Sequence, residues 1–525
     1  MMASRFAKNS LLGVVSGVAN ALSNFGSSVI LARLLGVDGL GTVMLALWIV
    51  VLGAAIADLG SATALSRYLP EFEASRQEDL AGRLTRHLFR PFAAGLLLLC
   101  LGLAGYGAWR WHLAGTVAPA LGPDRLREAP AFWFATATAL LLQGVSLFGY
   151  GYLRGVQRFE AIARLTIVSL AVQLVAVAIG SLAWGPVGAL AGYCAGFLIP
   201  AVATLRHLGR GGPIDPALKR RVRRYAAFAW AGNLATAVLY SRVELFFLER
   251  SWGTGAVGLF AIGITLANIA AQGPMLLTSG LLPHFSESFG RGDRAAIQRL
   301  YTSGTRVMAF LVFPACFGLA AILPSLIPLV YGAQFDRAID ASMILALSSA
   351  GGVVYVGSQL ALGCDRSDLG FIGTLAGAAL LLAGCLLVIP GYGIMGAALV
   401  RTGVQIILVV VNLWLIRSRL GYVAPVGHML RLLAASAICG ASAWVATRAL
   451  PAPVNLAVAV PLGVVVYGVC VRLLDALPGE DVDRLRGLFR RLPGPILRPT
   501  DRAFALLSRH AAGGTAAGAV PGSAS

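Results

Sequence analysis

About fourteen stretches of roughly 20 predominantly apolar residues follow one another along this chain, and that succession constrains its fold more than any other feature. A segment of that length and composition makes one helical crossing of a bilayer's hydrocarbon core. Each backbone N–H and C=O inside hydrocarbon must be satisfied within its own helix, so the expected fold is an all-α integral membrane protein. The spans fall near 9–34, 43–66, 91–110, 130–152, 161–182, 186–205, 225–248, 256–281, 304–331, 341–363, 369–390, 393–416, 430–449 and 454–474. The first follows Arg5 and Lys8 as a secretory leader would, but it is too long for one and runs on into further spans, so it reads as retained. Seven cysteines lie in or beside the spans with no CxxC or Cys/His cluster, which argues against a metal site and a disulfide framework.

Only 12% of the residues are charged, against roughly a quarter in soluble domains, yet the net charge is +19. The basic residues collect on alternate loops, the positive-inside pattern, which places both termini on the cytoplasmic side of an inner membrane. The densest run, Lys219, Arg220, Arg221, Arg223 and Arg224, enters span seven. There it meets anionic membrane lipids, and no nucleic acid is expected as a partner.

The chain repeats itself. LARLLGVDGLGTVMLA over 31–46 aligns with LERSWGTGAVGLFAIG over 248–263, setting Gly36 on Gly253 and Gly41 on Gly258. Later, Gly155 and Arg158 fall on Gly363 and Arg366, and GPVGA over 185–189 falls on GIMGA over 393–397. Duplicated halves are a common plan for transporters. The expected units are a six-helix lobe over 1–206, a basic cytoplasmic linker over 207–224, a second six-helix lobe over 225–420, spans thirteen and fourteen over 421–476, and a cytoplasmic segment over 477–525. That last segment reads as an amphipathic helix from Asp481 to Arg491 followed by a disordered Gly-rich tail. The repeat also disposes of a GxGxxG match at 391–396, which follows no strand and is absent from the first half, so it reads as a helix-to-helix turn. No nucleophile elbow, phosphate loop or HExxH occurs, and neither enzymatic chemistry nor a cofactor is expected.

Polar side chains inside hydrocarbon mark faces that line protein or water. Span one carries Ser16, Asn20, Ser23, Asn24 and Ser27 at helical spacing, and span seven carries Asn233, Thr236, Tyr240 and Glu244 at equivalent positions. Two readings stand: hydrogen bonds between packed helices, or a water-filled central cavity between the two spans in which Glu244 carries charge or protons. Arg242, about 200° around a continuous helix from Glu244, either snorkels or pairs elsewhere. Arg401, equivalent to Tyr193 in the first half, either snorkels or contacts an anion in the cavity. Asp58 is either a structural partner for Arg67 or a transport group.

The motifs ADLGSATALSRYLPEF (57–72), YLRGVQRF (152–159) and RRYAAFAWAGNLATAVLYSRVELFFL (223–248), with Asn9-Ser10 and LARLLGVDGLGTV (31–43), resemble the Wzx-type polysaccharide exporters of the MATE-like superfamily. The resemblance implies two MATE-like six-helix lobes that carry an undecaprenyl-pyrophosphate-linked oligosaccharide across the inner membrane by alternating access, for surface polysaccharides such as O-antigen. It further implies H+ or Na+ as coupling ion and a polysaccharide polymerase or chain-length machinery as partner. A flippase for the peptidoglycan precursor lipid II and a cation-coupled drug exporter are the alternatives.

Overall fold

The computed structural model describes residues 2–74, 77–114, 130–206, 212–240, 242–278, 281–451, 453–482 and 486. Among them the chain is helical throughout: α1 (Met2–Asp58), α2 (Ser61–Ala74), α3 (Glu78–Ala114), α4 (Pro130–Gly155) and α5 (Phe159–Leu205) form lobe one. Lobe two comprises α6 (Pro216–Tyr240), α7 (Glu244–Thr278), α8 (Leu281–Gly290), α9 (Arg294–Val330), α10 (Ile339–Ser348), α11 (Tyr355–Gly363) and α12 (Ser367–Leu415). Two further helices, α13 (Val426–Ala449) and α14 (Val454–Leu473), pack beside it. Among the described residues, ten helical stretches are long and apolar enough to cross a membrane. Their outward faces carry Leu98, Leu182, Leu387 and Val464 well exposed, as suits a surface solvated by lipid. This is a multi-pass membrane protein.

Three of the helices hold two spans each, joined where the backbone leaves helical geometry at Gly36 in α1, at Trp184 and Gly185 in α5, and at Gly393 in α12. The duplication is written into these turns. Gly36 (φ 69°, ψ −167°) and Gly253 (φ 80°, ψ −179°) adopt one conformation, and Gly185 (φ 58°, ψ −139°) and Gly393 (φ 54°, ψ −134°) another. Such positive φ values cost glycine nothing and penalise other residues, which is why both copies carry it there. Beyond the Gly185 turn the two arms of α5 run so close that a methyl group on Gly180 or Gly188 would overlap the opposite backbone, and Ser169 donates to the Gly196 carbonyl at 2.6 Å.

The lobes meet at both ends. At the end bearing these turns, the Arg33 guanidinium donates to the carbonyls of Val330 (2.8 Å) and Leu329, and Thr254 donates to Asp38 at 3.3 Å. A side chain on Gly41 would run into the Thr254 carbonyl and one on Gly258 into that of Val37, so α1 and α7 touch backbone to backbone. Leu40, Val43, Val257, Phe260 and Ala261 are buried in that seam. At the other end, rich in arginine, α6 lies on lobe one: Trp230 donates to the Ile56 carbonyl (3.1 Å), Asn233 to Thr63 (3.0 Å), and Val222 and Ala226 enter the core of lobe one with Leu65, Tyr68 and Phe92.

The segment after α14 departs from expectation at its start. Asp481 is buried, not surface-lying, and accepts from Ser303 (2.5 Å) and Arg306 (2.6 Å) of α9, with Val482 and Leu477 packed beside it. A carboxylate in that position neutralises an arginine at the membrane boundary and ties the chain to lobe two. The remainder of the expected amphipathic helix and the tail lie outside the described residues, apart from residue 486.

The arginine-rich end is expected in the cytoplasm. Reporter domains fused at Gly212 and at His112 should read as cytoplasmic and extracytoplasmic respectively; the reverse pair of readings would invert the orientation.

Candidate functional site

Sequence periodicity predicts one continuous helix over span seven, but the structure breaks it. α6 ends at Tyr240, Arg242 turns the chain with φ 66°, and α7 begins at Glu244. A left-handed φ in a residue with a bulky side chain is uncommon and costs on the order of 1 kcal/mol or more. The break also moves every group that follows it off the expected stripe. Glu244 does not join Asn233 on a cavity wall; it is completely buried and accepts from Arg401 of α12 at 2.5 Å through Oε1. Its Oε2 has no hydrogen-bond partner among the described residues. Arg401 neither snorkels nor reaches the cavity, since it is committed to this carboxylate. Asn233 bridges to Thr63 of α2, Thr236 is spent on the Gly232 carbonyl of its own helix, and the side chain of Tyr240 lies outside the described residues.

Arg242 takes the place expected of Glu244. It caps a cavity of about 730 Å³ hollowed out of lobe one, with Leu245 and Thr265 of α7 beside it. Its guanidinium lies 3.5 Å from the Thr265 hydroxyl and neighbours Tyr193, Tyr331, Glu244 and Arg401. Asn20 and Asn24 stand on the cavity wall, 3.4 Å apart. The opposite wall comes from α4 and α5, with Gln143, Tyr150 and Arg154 on one and Thr166 and Gln173 on the other. Trp48 and Phe197 add aromatic surface. The described lining contains two arginines and no carboxylate. Such a concave site, apolar in body with a few convergent polar groups, is of ordinary small-molecule size.

Sequence reasoning missed the α4 and α5 walls, although their signal is of the same kind as that on span one. Gln143, Ser146, Tyr150 and Arg154 recur at helical spacing along span four, and Ile162, Thr166, Ser169 and Gln173 do so along span five. Both stripes face the cavity.

Asp58 and Arg67 do not pair. The chain breaks after Asp58 through Leu59 (φ 49°) and Gly60 (φ 74°), and the Asp58 carboxylate accepts from the Ser61 hydroxyl (2.8 Å) and the Ala62 amide (3.0 Å) at the start of α2. It is spent on a helix N-terminus, where a carboxylate is most useful. Arg67 instead faces Glu71 at 3.5 Å, which also meets Arg221 of α6 at 3.6 Å, while Tyr68 lies between the two guanidinium groups.

The repeat relates the two polar centres behind the cavity. Ser27 and Tyr193 of lobe one are the equivalents of Glu244 and Arg401 of lobe two, and the Ser27 hydroxyl accepts from the Gln173 carboxamide at 3.5 Å. One architectural position therefore carries a neutral pair in the first copy and an ionic pair in the second. Arg242 stands between them.

A model of the family described as "Polysaccharide biosynthesis protein" matches residues 6–289. Among solved structures, the lipid II flippase MurJ in an inward closed conformation is similar over 88% of this chain and 98% of its own, with TM-score 0.70 and 13% identity. An inward-facing multidrug resistance transporter of the MATE family, MOP superfamily, is similar over 76% of this chain and 94% of its own (TM-score 0.64, 14% identity). An outward-facing structure of the MATE family follows over 79% and 95% (TM-score 0.52, 13% identity). Identities this low establish a shared fold. No curated protein sequence matches the chain. With a family model covering more than half of its length, on a fold shared with MurJ and the MATE transporters, the chain belongs to the polysaccharide biosynthesis protein family.

Proposed function

We propose that the protein translocates a lipid-linked oligosaccharide, carried on undecaprenyl pyrophosphate, from the cytoplasmic to the outer leaflet of a bacterial inner membrane. The observation that carries this reading is the cavity of lobe one: apolar in body with several convergent polar groups, free of carboxylates in its described lining, and capped by Arg242. A guanidinium held in a low-dielectric site attracts phosphate oxygens far more strongly than one in water. Arg242 owes its availability to Arg401, which already occupies Glu244. The hydroxyl and carboxamide groups along the walls suit hydrated sugar, and the lipid tail remains in the bilayer. Moving such a head group requires no covalent step. It requires that the two closed ends open in turn, as in other duplicated transporters.

A cation-coupled drug exporter would want an acidic cavity, and the lining opposes it. A lipid II flippase faces the same pyrophosphate chemistry and is separated by experiment. Loss of the gene is expected to abolish a surface polymer and leave its glycan units on the cytoplasmic leaflet. An unchanged surface polymer with stalled lipid II would favour the peptidoglycan reading. Counter-movement of H+ or Na+, and delivery to a polysaccharide polymerase or chain-length machinery, belong to the same proposal.

Two further outcomes follow from the geometry. Arg242→Gln should lower transport at least tenfold with normal amounts of protein in the membrane, and Arg242→Lys should recover part of it. Equal transport by all three would remove Arg242 from the substrate path. Glu244→Gln removes the carboxylate that Arg401 meets in a mostly buried position, and removing one member of such a pair costs about 3–5 kcal/mol. The single variant should therefore unfold at lower temperature in detergent, and Glu244→Gln with Arg401→Gln should regain most of the loss. If Glu244→Gln were as stable as the wild type yet defective only in the pH dependence of transport, Glu244 would be a coupling group and not a structural one.

A further inference from the structure

Several arginines at the basic end of the molecule are matched by acids: Arg67 and Arg221 share Glu71, Arg164 meets Glu160, Arg291 meets Glu287 and Arg366 meets Asp368. A group on α3 and α6 is not. Arg83, His87 and Arg90 of α3 and Lys219 of α6 form no ion pair with a described acid. At 100° per residue the three α3 side chains leave the helix within about 60° of one another. Lys219 and Arg90 both act on His87 electrostatically, and a methyl group on Gly212, in the stretch leading into α6, would sit 2.9 Å from Arg83 Nε. Beneath these cations the seam is apolar, with Leu84 and Leu88 of α3 buried beside Val222 and Ala226 of α6. Like charges from the two lobes are therefore held together by apolar burial, at the level where α3 enters the bilayer. The same face of α3 continues into the membrane as Ala94, Leu98 and Leu101, all exposed.

We infer that α3 and α6 form a site for one anionic phospholipid of the cytoplasmic leaflet, whose phosphate joins His87 and Arg90 of lobe one to Lys219 of lobe two. Its acyl chain lies along Ala94, Leu98 and Leu101. Cations at head-group depth, in line with an open apolar strip on one helix face, match the two ends of such a lipid and exclude a purely soluble anion as the natural occupant. The run from Lys219 to Arg224 does not act as one diffuse surface, because Arg221 points to the far side of α6 and is engaged by Glu71. A phosphate between the lobes supplies the counter-charge that the protein lacks there, and it relieves the repulsion that closure would otherwise build up. The lipid thereby holds the cytoplasmic end shut, and the anionic content of the leaflet regulates how readily that end opens. This regulation is independent of what the protein carries.

The test uses the full-length protein in phosphatidylcholine nanodiscs that contain a minor fraction of photoactivatable lipid, either phosphatidylglycerol or phosphatidylcholine with the same diazirine-bearing chain. Phosphatidylglycerol should label residues 94–101 at least fivefold more than phosphatidylcholine does. Arg90→Gln with Lys219→Gln should bring the two probes level, with labelling by phosphatidylcholine unchanged as the folding control. Arg220→Gln with Arg224→Gln removes the same charge from another face of α6 and should keep the preference. Probes that label equally in the wild type overturn the site, and so does a preference that falls alike in both double variants, which leaves only a diffuse basic surface. Loss of the preference on adding sodium phosphate at constant ionic strength assigns the cations to free phosphate and overturns the lipid. Closure is read from alkylation of Ala226→Cys, buried in the seam, which should be at least threefold slower in phosphatidylglycerol discs than in phosphatidylcholine discs. Equal rates overturn the bridging of the lobes.

Discussion

A carboxylate taken wholly out of water must find a cation, and in this protein Glu244 finds Arg401. Much of the central architecture follows from that pairing. Desolvating the two charges costs several kcal/mol each, so the pair is tolerable only if its geometry is good and neither partner is drawn elsewhere. Meeting Arg401 places Glu244 at the first turn of α7, where the helix dipole adds to the attraction. The chain must then break before it, and Arg242 takes the turn. A break in the middle of a membrane helix exposes backbone groups that hydrocarbon cannot satisfy, so it survives only beside protein or a polar cavity. The cavity of lobe one is where this one lies.

Most of the fold was legible from residue order. Apolar length counted the crossings, and the repeated glycines located the hairpin turns, because a positive φ has a strong residue preference. The break at Arg242 left no such mark. Arginine has no preference for a left-handed turn, and periodicity arguments assume that a helix continues until something stops it. Thus the stripe from Asn233 to Glu244 was real as a pattern and wrong as a surface: its members scatter to Thr63, to a backbone carbonyl and to Arg401. Asn20 and Asn24 lie on the cavity wall together because span one runs unbroken past them. Asp58 was misjudged for a related reason. Its partner was sought at long range, whereas a chain break three residues on supplied amide and hydroxyl donors at once.

The two copies differ in charge at matching sites. Ser27 and Tyr193 in one lobe and Glu244 and Arg401 in the other occupy equivalent positions, yet only the second pair is ionic. A buried ionic pair resists separation, because each charge would be left desolvated and alone. Lobe two carries a second such contact, from Asp481 to Ser303 and Arg306, while the large cavity lies in lobe one.

The contacts at the two ends of the molecule differ in their share of exposed charge. The arginine-rich end adds Arg67, Arg221, Glu71 and the ring of Tyr68, partly exposed groups whose attraction fades beyond a Debye length of about 8 Å at physiological ionic strength, to a buried seam in which a side chain on Gly60 would meet the Ala226 carbonyl. The turn end is joined by glycine backbones seated against carbonyls, with apolar side chains around them. Added salt is expected to weaken the exposed ion pairs of the first seam and to leave the apolar packing of both seams in place.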